Sequence, residues 1–298
     1  MKIVIDTDPG TDDALAIMMA LNSPGVEVLG LTTVGGNASL ADTTRNALSL
    51  LEHLRRAEIP VSRGAAHPLR GAFRYGYHFH GAGGLTVRIP APTTEPIESR
   101  APEFIIQHAR SIPGQLVLIA LGPLTNVARA IAREPHLVDW LREIVVMGGA
   151  VEVPGNVTPN AEFNAYNDPA AGQAVFLSGV PITLVGLDVC NKVMVERDEA
   201  AWLSEDSSLA PLARTILGNW FSNDESRTGY SLCDPLAMAV AIQPGLLTLR
   251  DAVMDVDTGD GDRYGKTSAR YGDGHVKVAS NVRVRDAKDL IHGLLKVH

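Results

Sequence analysis

Lys2-Ile3-Val4-Ile5-Asp6-Thr7-Asp8-Pro9-Gly10-Thr11-Asp12-Asp13-Ala14 opens the chain, and its reading decides the fold. A short β-branched apolar run ends in polar residues, Pro9-Gly10 forces a turn, and a helix begins at Thr11 or Asp12. Strand, turn and helix in this order make the repeating unit of an α/β protein. The same apolar runs recur at residues 26–34, 116–121, 143–147 and 182–188. Helical periodicity follows at 12–21, 40–54, 124–133, 169–177 and from 198 onward. Beyond Gln243-Pro244, runs at 252–256 and 276–284 bracket a Gly/Asp-rich connection, and a helix over 287–297 closes the pattern. The pattern predicts an α/β fold: a mostly parallel central sheet with helices on both faces, a Rossmann-like open sheet. No Ser-, Pro- or charge-rich linker divides the 298 residues, so a single domain over 1–298 is expected. Ligands of such sheets bind beyond the carboxyl ends of the strands, so the residues just after each run are the ones to search.

Two stretches break the alternation. Residues 63–102 hold many Gly and Pro with aromatics and histidines between them, which predicts a long functional loop with a hairpin. Residues 217–234 are aromatic without a clean period, and Arg227 and Tyr230 there are candidate ligand contacts.

The turn after the first strand is where chemistry is expected. Four Asp fall within eight positions, at 6, 8, 12 and 13. Carboxylates packed so closely repel one another unless a cation or a polyhydroxyl ligand shares them. A helix dipole accounts for Asp12 and Asp13 but leaves Asp6 and Asp8 unexplained. An EF-hand is excluded, because counting from Asp6 the fifth position is Gly10 and the twelfth is Ile17.

Composition narrows the partners. Lys and Arg number 26 against 34 Asp and Glu, a net charge of −8, and 20 of those acids are Asp. Nucleic acid is not expected as a partner, since phosphate binding needs a basic face. The Lys and Arg after Arg263 alternate with Asp, Gly and apolar residues, as on a solvated sheet edge. Cys190 and Cys233 form no CxxC pair, so neither a disulfide framework nor a zinc knuckle is indicated. The chain starts directly in a strand and holds no apolar run of membrane-spanning length, so a soluble, cytoplasmic protein is expected.

The turn Asp6-Thr7-Asp8-Pro9-Gly10-Thr11-Asp12-Asp13-Ala14 resembles the N-terminal motif of the nucleoside hydrolases, the inosine-uridine preferring N-ribohydrolases. The resemblance continues in order through Thr32-Thr33-Val34-Gly35-Gly36-Asn37, His80-Gly81 with Gly84-Leu85, Leu121-Gly122-Pro123-Leu124-Thr125-Asn126 and Val146-Met147-Gly148-Gly149. It runs on through Gly155-Asn156, Ala161-Glu162-Phe163-Asn164 with Asp168-Pro169, and Cys233-Asp234-Pro235. It implies one Ca²⁺ held by Asp8, Asp13 and Asp234 and by the main-chain carbonyl of Leu121. Such a set of hard oxygens suits Ca²⁺. It further implies that Asp12, Asn37, Asn156, Glu162 and Asn164 hold the ribose hydroxyls, over Met147 as an apolar floor. By the same resemblance Asp6 is expected to support Asp8, and Asp8 to take the proton of the attacking water.

In many members a His directly precedes the last Asp ligand and would protonate the leaving base. Cys233 stands there, as in a subgroup of the family, and remains a catalytic candidate. His80, matching a His near the nucleobase in pyrimidine-preferring relatives, is the expected substitute donor, whereas His78 is expected on the surface. The implied partner is a small-molecule ribonucleoside, and the implied assembly a homodimer or homotetramer.

Two other readings compete. Asp6-x-Asp8 after an apolar strand suggests a haloacid-dehalogenase-like phosphohydrolase, although the Pro9-Gly10-x-Asp12-Asp13 continuation does not suit one. A Cys at 233 leaves room for a non-catalytic nucleoside-binding protein.

Overall fold

The computed structural model describes residues 1–197, 199 and 210–296. The opening run forms β1 (Lys2–Thr7), buried from Ile3 onward. Ile3 and Ile5 enter one apolar layer and Val4 the other, which is why the run is continuously apolar rather than alternating. The other strands are β2 (Glu27–Thr33), β3 (Val61–Arg63), β4 (Leu116–Ala120), β5 (Leu141–Met147), β6 (Ile182–Val185), β7 (Met194–Glu196), β8 (Gly229–Ser231), β9 (Leu247–Val256), β10 (Thr267–Tyr271) and β11 (Val276–Val282). Nine of them form one sheet in the order β10-β9-β11-β6-β5-β4-β1-β2-β3, and β7 pairs with β8 apart from it. From β11 to β3 every pairing is parallel, while β9 runs antiparallel to β10 and β11. The expected α/β class and mostly parallel open sheet are what the fold shows. β10 closes one edge of the sheet, as the mixed charge after Arg263 suggested.

Helices cover both faces. Thr11–Asn22, Leu40–His53, Pro211–Ser222, Cys233–Ile242 and Val284–Leu294 pack on one, and Ala101–Ser111, Thr125–Arg133 and Pro169–Phe176 on the other. Among the described residues, no helix is long and apolar enough to cross a membrane.

The chain proceeds from β1 outward through β2 to β3, then returns to the other side of β1 at β4. The strand order therefore reverses between β1 and β4, and the crevice beyond their carboxyl ends is where this architecture binds ligands. Asp6, Asp8 and Leu121 stand at that point, with Asp6 paired to Ala120 and its carbonyl accepting the Leu121 N–H at 2.8 Å.

Several expectations need correction. Residues 63–102 hold no hairpin; they carry a helical turn at Tyr77–His80 and an isolated parallel bridge from Ser62 to Ile97. The aromatic stretch is mostly ordered structure, split among the helix Pro211–Ser222, β8 and the helix Cys233–Ile242. The Gly/Asp-rich connection contains β10. The helix expected from residue 198 lies outside the described residues.

Candidate active site

Asn37, just past β2, ties the acidic turn together. Its N–H donates to Asp8 Oδ2 at 2.6 Å, and its Nδ2 donates to Asp13 Oδ2 at 2.9 Å and to the Asp8 carbonyl at 3.2 Å. Asp13 Oδ1 accepts the Thr7 hydroxyl at 2.5 Å, and Oδ2 also accepts the Gly10 N–H, so this carboxylate caps the helix it begins. Asp6 lies beneath, its Oδ1 accepting from Thr32 Oγ1 at 2.5 Å and from Asn126 Nδ2 at 2.8 Å.

The carboxylates crowd one another. Oxygens of Asp12, Asp13 and Asp234 lie within 4.8 Å of each other. Burial, and then the charge of Asp13, pushes the Asp8 carboxyl well above the usual range. Asp234 rises for the same reason, with Asp12, Asp13 and Asp8 adding to its burial. Asp12 is pushed up to about 7 by burial and by Asp13, and Asp6 to about 7 by burial.

Two further observations fit a cation. Asp8 Oδ1 is buried with no hydrogen-bond partner. The backbone around it is glycine on two sides: a Cβ at Gly122 would stand 2.4 Å from Asp8 Oδ1, and one at Gly36 2.1 Å from Oδ2. An orphaned carboxylate oxygen in a cradle of bare backbone, beside three more carboxylates, is a donor set of hard oxygens awaiting positive charge.

A cavity of about 500 Å³ opens over this floor. Of the predicted residues, Asp12, Asn37, His80, Leu121, Met147, Asn156, Glu162, Asn164, Cys233 and Asp234 line it, while Asp8 and Asp13 lie buried behind the lining. Asp6 does not line it either and sits beneath Asp8, its Oδ1 held by Thr32 and Asn126, a supporting position and not that of a nucleophile.

On the far side, Glu162 caps the short helix Phe163–Asn167, accepting from the Asn164, Ala165 and Gly149 amides at 2.9, 3.0 and 2.9 Å. Asn164 Nδ2 donates to the Leu121 carbonyl at 2.7 Å and reaches Met147. Asn156 is exposed and accepts the Phe163 N–H at 2.9 Å.

The opposite end is aromatic. His80 is buried, and its Nδ1 accepts the Thr11 N–H at 3.1 Å, which leaves the proton on Nε2. Burial, with the charges of His78 and Arg227, pushes it down to about 3, so the ring is neutral at pH 7. Cys233 lies against Cys190, and that neighbour together with burial pushes its thiol well up. Sequence separation concealed this pairing of the two cysteines. His78 is exposed, as expected, at the cavity rim. Phe79 and Trp220, which sequence reasoning did not select, line the cavity with ring centroids 5.3 Å apart. Arg227 and Tyr230 do not line it. Arg227 lies over the Trp220 ring at 4.3 Å and donates to the Trp220 carbonyl at 2.7 Å, as a brace behind the wall.

Comparison with known proteins agrees with this architecture. The family model for the inosine-uridine preferring nucleoside hydrolase matches residues 3–290. Uridine nucleosidase 1 of Arabidopsis thaliana is 39% identical over 263 residues, covering 86% of this chain and 78% of its own. A solved plant nucleoside hydrolase superposes with a TM-score of 0.92 at 34% identity, covering 100% of this chain and 99% of its own. The purine-preferring ribonucleoside hydrolase from Gardnerella vaginalis gives 0.91 at 31% identity, with 100% of each chain covered. The chain therefore belongs to the inosine-uridine preferring nucleoside hydrolase family.

Proposed function

We propose that the protein is a Ca²⁺-dependent ribonucleoside hydrolase that releases free base and ribose, with Asp8 as the general base. The orphaned Asp8 Oδ1 at the strand-order reversal carries this reading. Asp8, Asp13, Asp234 and the Leu121 carbonyl would hold the cation. When bound, it supplies the positive charge that neutralises the crowded carboxylates, acidifies a water and orders vicinal hydroxyls.

The protein's own groups do the rest. Asp8 takes the proton of the attacking water. Asp12, Asn37, Asn156, Glu162 and Asn164 bond the ribose hydroxyls, and Met147 forms the floor under the ring. Their carboxylates stabilise the positive charge that builds on the sugar as the glycosidic bond stretches. His80 faces the departing base with Nε2–H. Because burial keeps the ring neutral, its contribution is a hydrogen bond to the negative charge gathering on the base rather than a proton given up by an imidazolium. Cys233 lines the cavity, but burial and the neighbouring Cys190 hold its proton on, so we read the thiol as a poor acid beside His80. One relative is named for uridine and another for purines on the same architecture, so the base accepted is a property of the aromatic end.

The test is release of reducing sugar from purine and pyrimidine ribonucleosides, with Ca²⁺ and after chelation, against the matching 2′-deoxyribonucleosides. Turnover is expected with Ca²⁺ and a ribose only. Tight ribonucleoside binding without product on prolonged incubation would instead make the protein a binder. The homodimer or homotetramer implied by the resemblance is checked by light scattering.

A further inference from the structure

Among the described residues Tyr230 is the bulkiest fully buried side chain, 1% exposed, and its hydroxyl makes no well-formed hydrogen bond, only a looser approach to Asp12. Buried hydroxyls are nearly always paired, so an orphan at this depth calls for a reason outside the packing. On β8, Gly229 and Ser231 line the cavity, and Tyr230 between them points into the wall. Its ring meets Trp220 edge-on at 4.6 Å and stacks on Phe79 at 6.1 Å. From there the hydroxyl faces Asp12, Asp234 and Cys233, whose negative charge, after burial, holds its proton on firmly. That loose approach of the hydroxyl in turn draws the Asp12 carboxyl down against the upward push of burial.

Asp12 is the partly exposed member of the carboxylate cluster and faces the cavity. It has to offer its oxygens to sugar hydroxyls while Asp13 and Asp234 repel it. A neutral donor behind it can orient it without adding charge, and a hydrogen bond to an anion is among the stronger ones.

We propose that Tyr230 is a positioning residue whose hydroxyl closes onto Asp12 when that carboxylate takes hold of the sugar, fixing it from the side opposite the substrate. The inference rests on Asp12 binding ribose. The same ring backs the aromatic wall, so Tyr230 joins the base end of the cavity to the sugar end through a single side chain.

Tyr230→Phe keeps the ring and removes the oxygen. With Ca²⁺ present, calorimetry with D-ribose should show the dissociation constant rising about tenfold, as for the loss of one hydrogen bond to a charged group. KM for a ribonucleoside should rise with it. The thermal midpoint should hold or increase, because an unsatisfied buried hydroxyl has gone. On an Asp12→Ala background the Tyr230→Phe change should do nothing further to ribose affinity. If Asp12→Ala leaves ribose affinity intact, the assignment of Asp12 to the sugar fails, and this inference with it. If Asp12→Ala weakens ribose and Tyr230→Phe does not, only the positioning role is overturned. A fall in thermal midpoint, with a ribose effect that persists on the Asp12→Ala background, likewise reduces Tyr230 to packing.

Discussion

The cavity floor at Asp8, Asn37 and Leu121 hangs on backbone that the sheet fixes, whereas His80 and Phe79 across from it stand on a short helical turn. Asp8 and Leu121 follow directly from β1 and β4, and Asn37 and Glu162 are each held by several hydrogen bonds. His80 and Phe79 sit on a four-residue helix, and Phe79 is 39% exposed. Under the proposed function this difference would divide the labour, with groups that must meet a reacting atom on rigid elements and groups that select a leaving base where sequence can change without disturbing the sheet.

The largest break in that comparison should come from Asp8→Asn. The amide keeps the shape but loses the base and one charge of the cation set, so kcat at saturating Ca²⁺ should fall about 10³-fold. Steady-state kinetics with a reducing-sugar readout checks this, and a loss below about tenfold would take the general base elsewhere. His80→Ala should cost about 10²-fold in kcat/KM, the effect varying with the base used, because a hydrogen bond to developing charge depends on which atom the base presents. Cys233→Ala in parallel should stay within about threefold of wild type, as befits a thiol that burial keeps protonated. Equal effects from the two variants would break the assignment.

Acidity supplies a smaller effect with a definite sign. Asp12 is pushed up to about 7, and Asp8 and Asp234 are raised as well. The cation set needs Asp8 and Asp234 ionised, so binding releases protons and affinity should weaken as pH falls. Without a cation the sign reverses. The folded state then keeps protons that the unfolded chain gives up near 3.8, so this stability is full below that pH and lost as pH rises towards 7. Thermal midpoints measured from pH 5 to 8, with Ca²⁺ and after chelation, should therefore diverge as pH rises. Parallel curves would mean that these carboxylates do not hold the ion.

The same contrast explains what was legible in sequence. β1 and the Asp-rich turn could be read because a doubly buried strand is a plain apolar run and because four carboxylates in one turn demand a partner. The helix Cys233–Ile242 could not, since it is buried from Asp234 to Ala241 and shows no polar face to give a period. The helix Pro211–Ser222 was obscured because its buried Trp220 and Phe221 also belong to an aromatic run reading as irregular. Among site residues, the carboxylates and amides announced themselves by type. Phe79 and Trp220 did not, because an aromatic residue in sequence looks the same whether it fills a core or lines a cavity. The contact between Cys190 and Cys233 depends on the pairing of β7 with β8, whose three-residue strands leave almost no pattern.

The smallest expected effect probes whether the two ends are separate at all. Phe79 touches no charged group of the sugar end; its ring packs against Trp220 and His80, with Arg227 5.6 Å away. If it only offers apolar surface to the base, Phe79→Ala should raise KM about threefold, more for the larger purines than for uridine, at unchanged kcat. Stability should shift by no more than about 0.5 kcal/mol, since the ring is already partly in water. The alternative is that Phe79 holds the adjacent His80 in place. In that case kcat would fall with KM unmoved, and the loss would vanish on a His80→Ala background. That second pattern would mean the exposed helical turn sets the leaving-group geometry as well as the choice of base, and the division between a rigid chemical end and a variable selecting end would have to be redrawn with His80 on the rigid side.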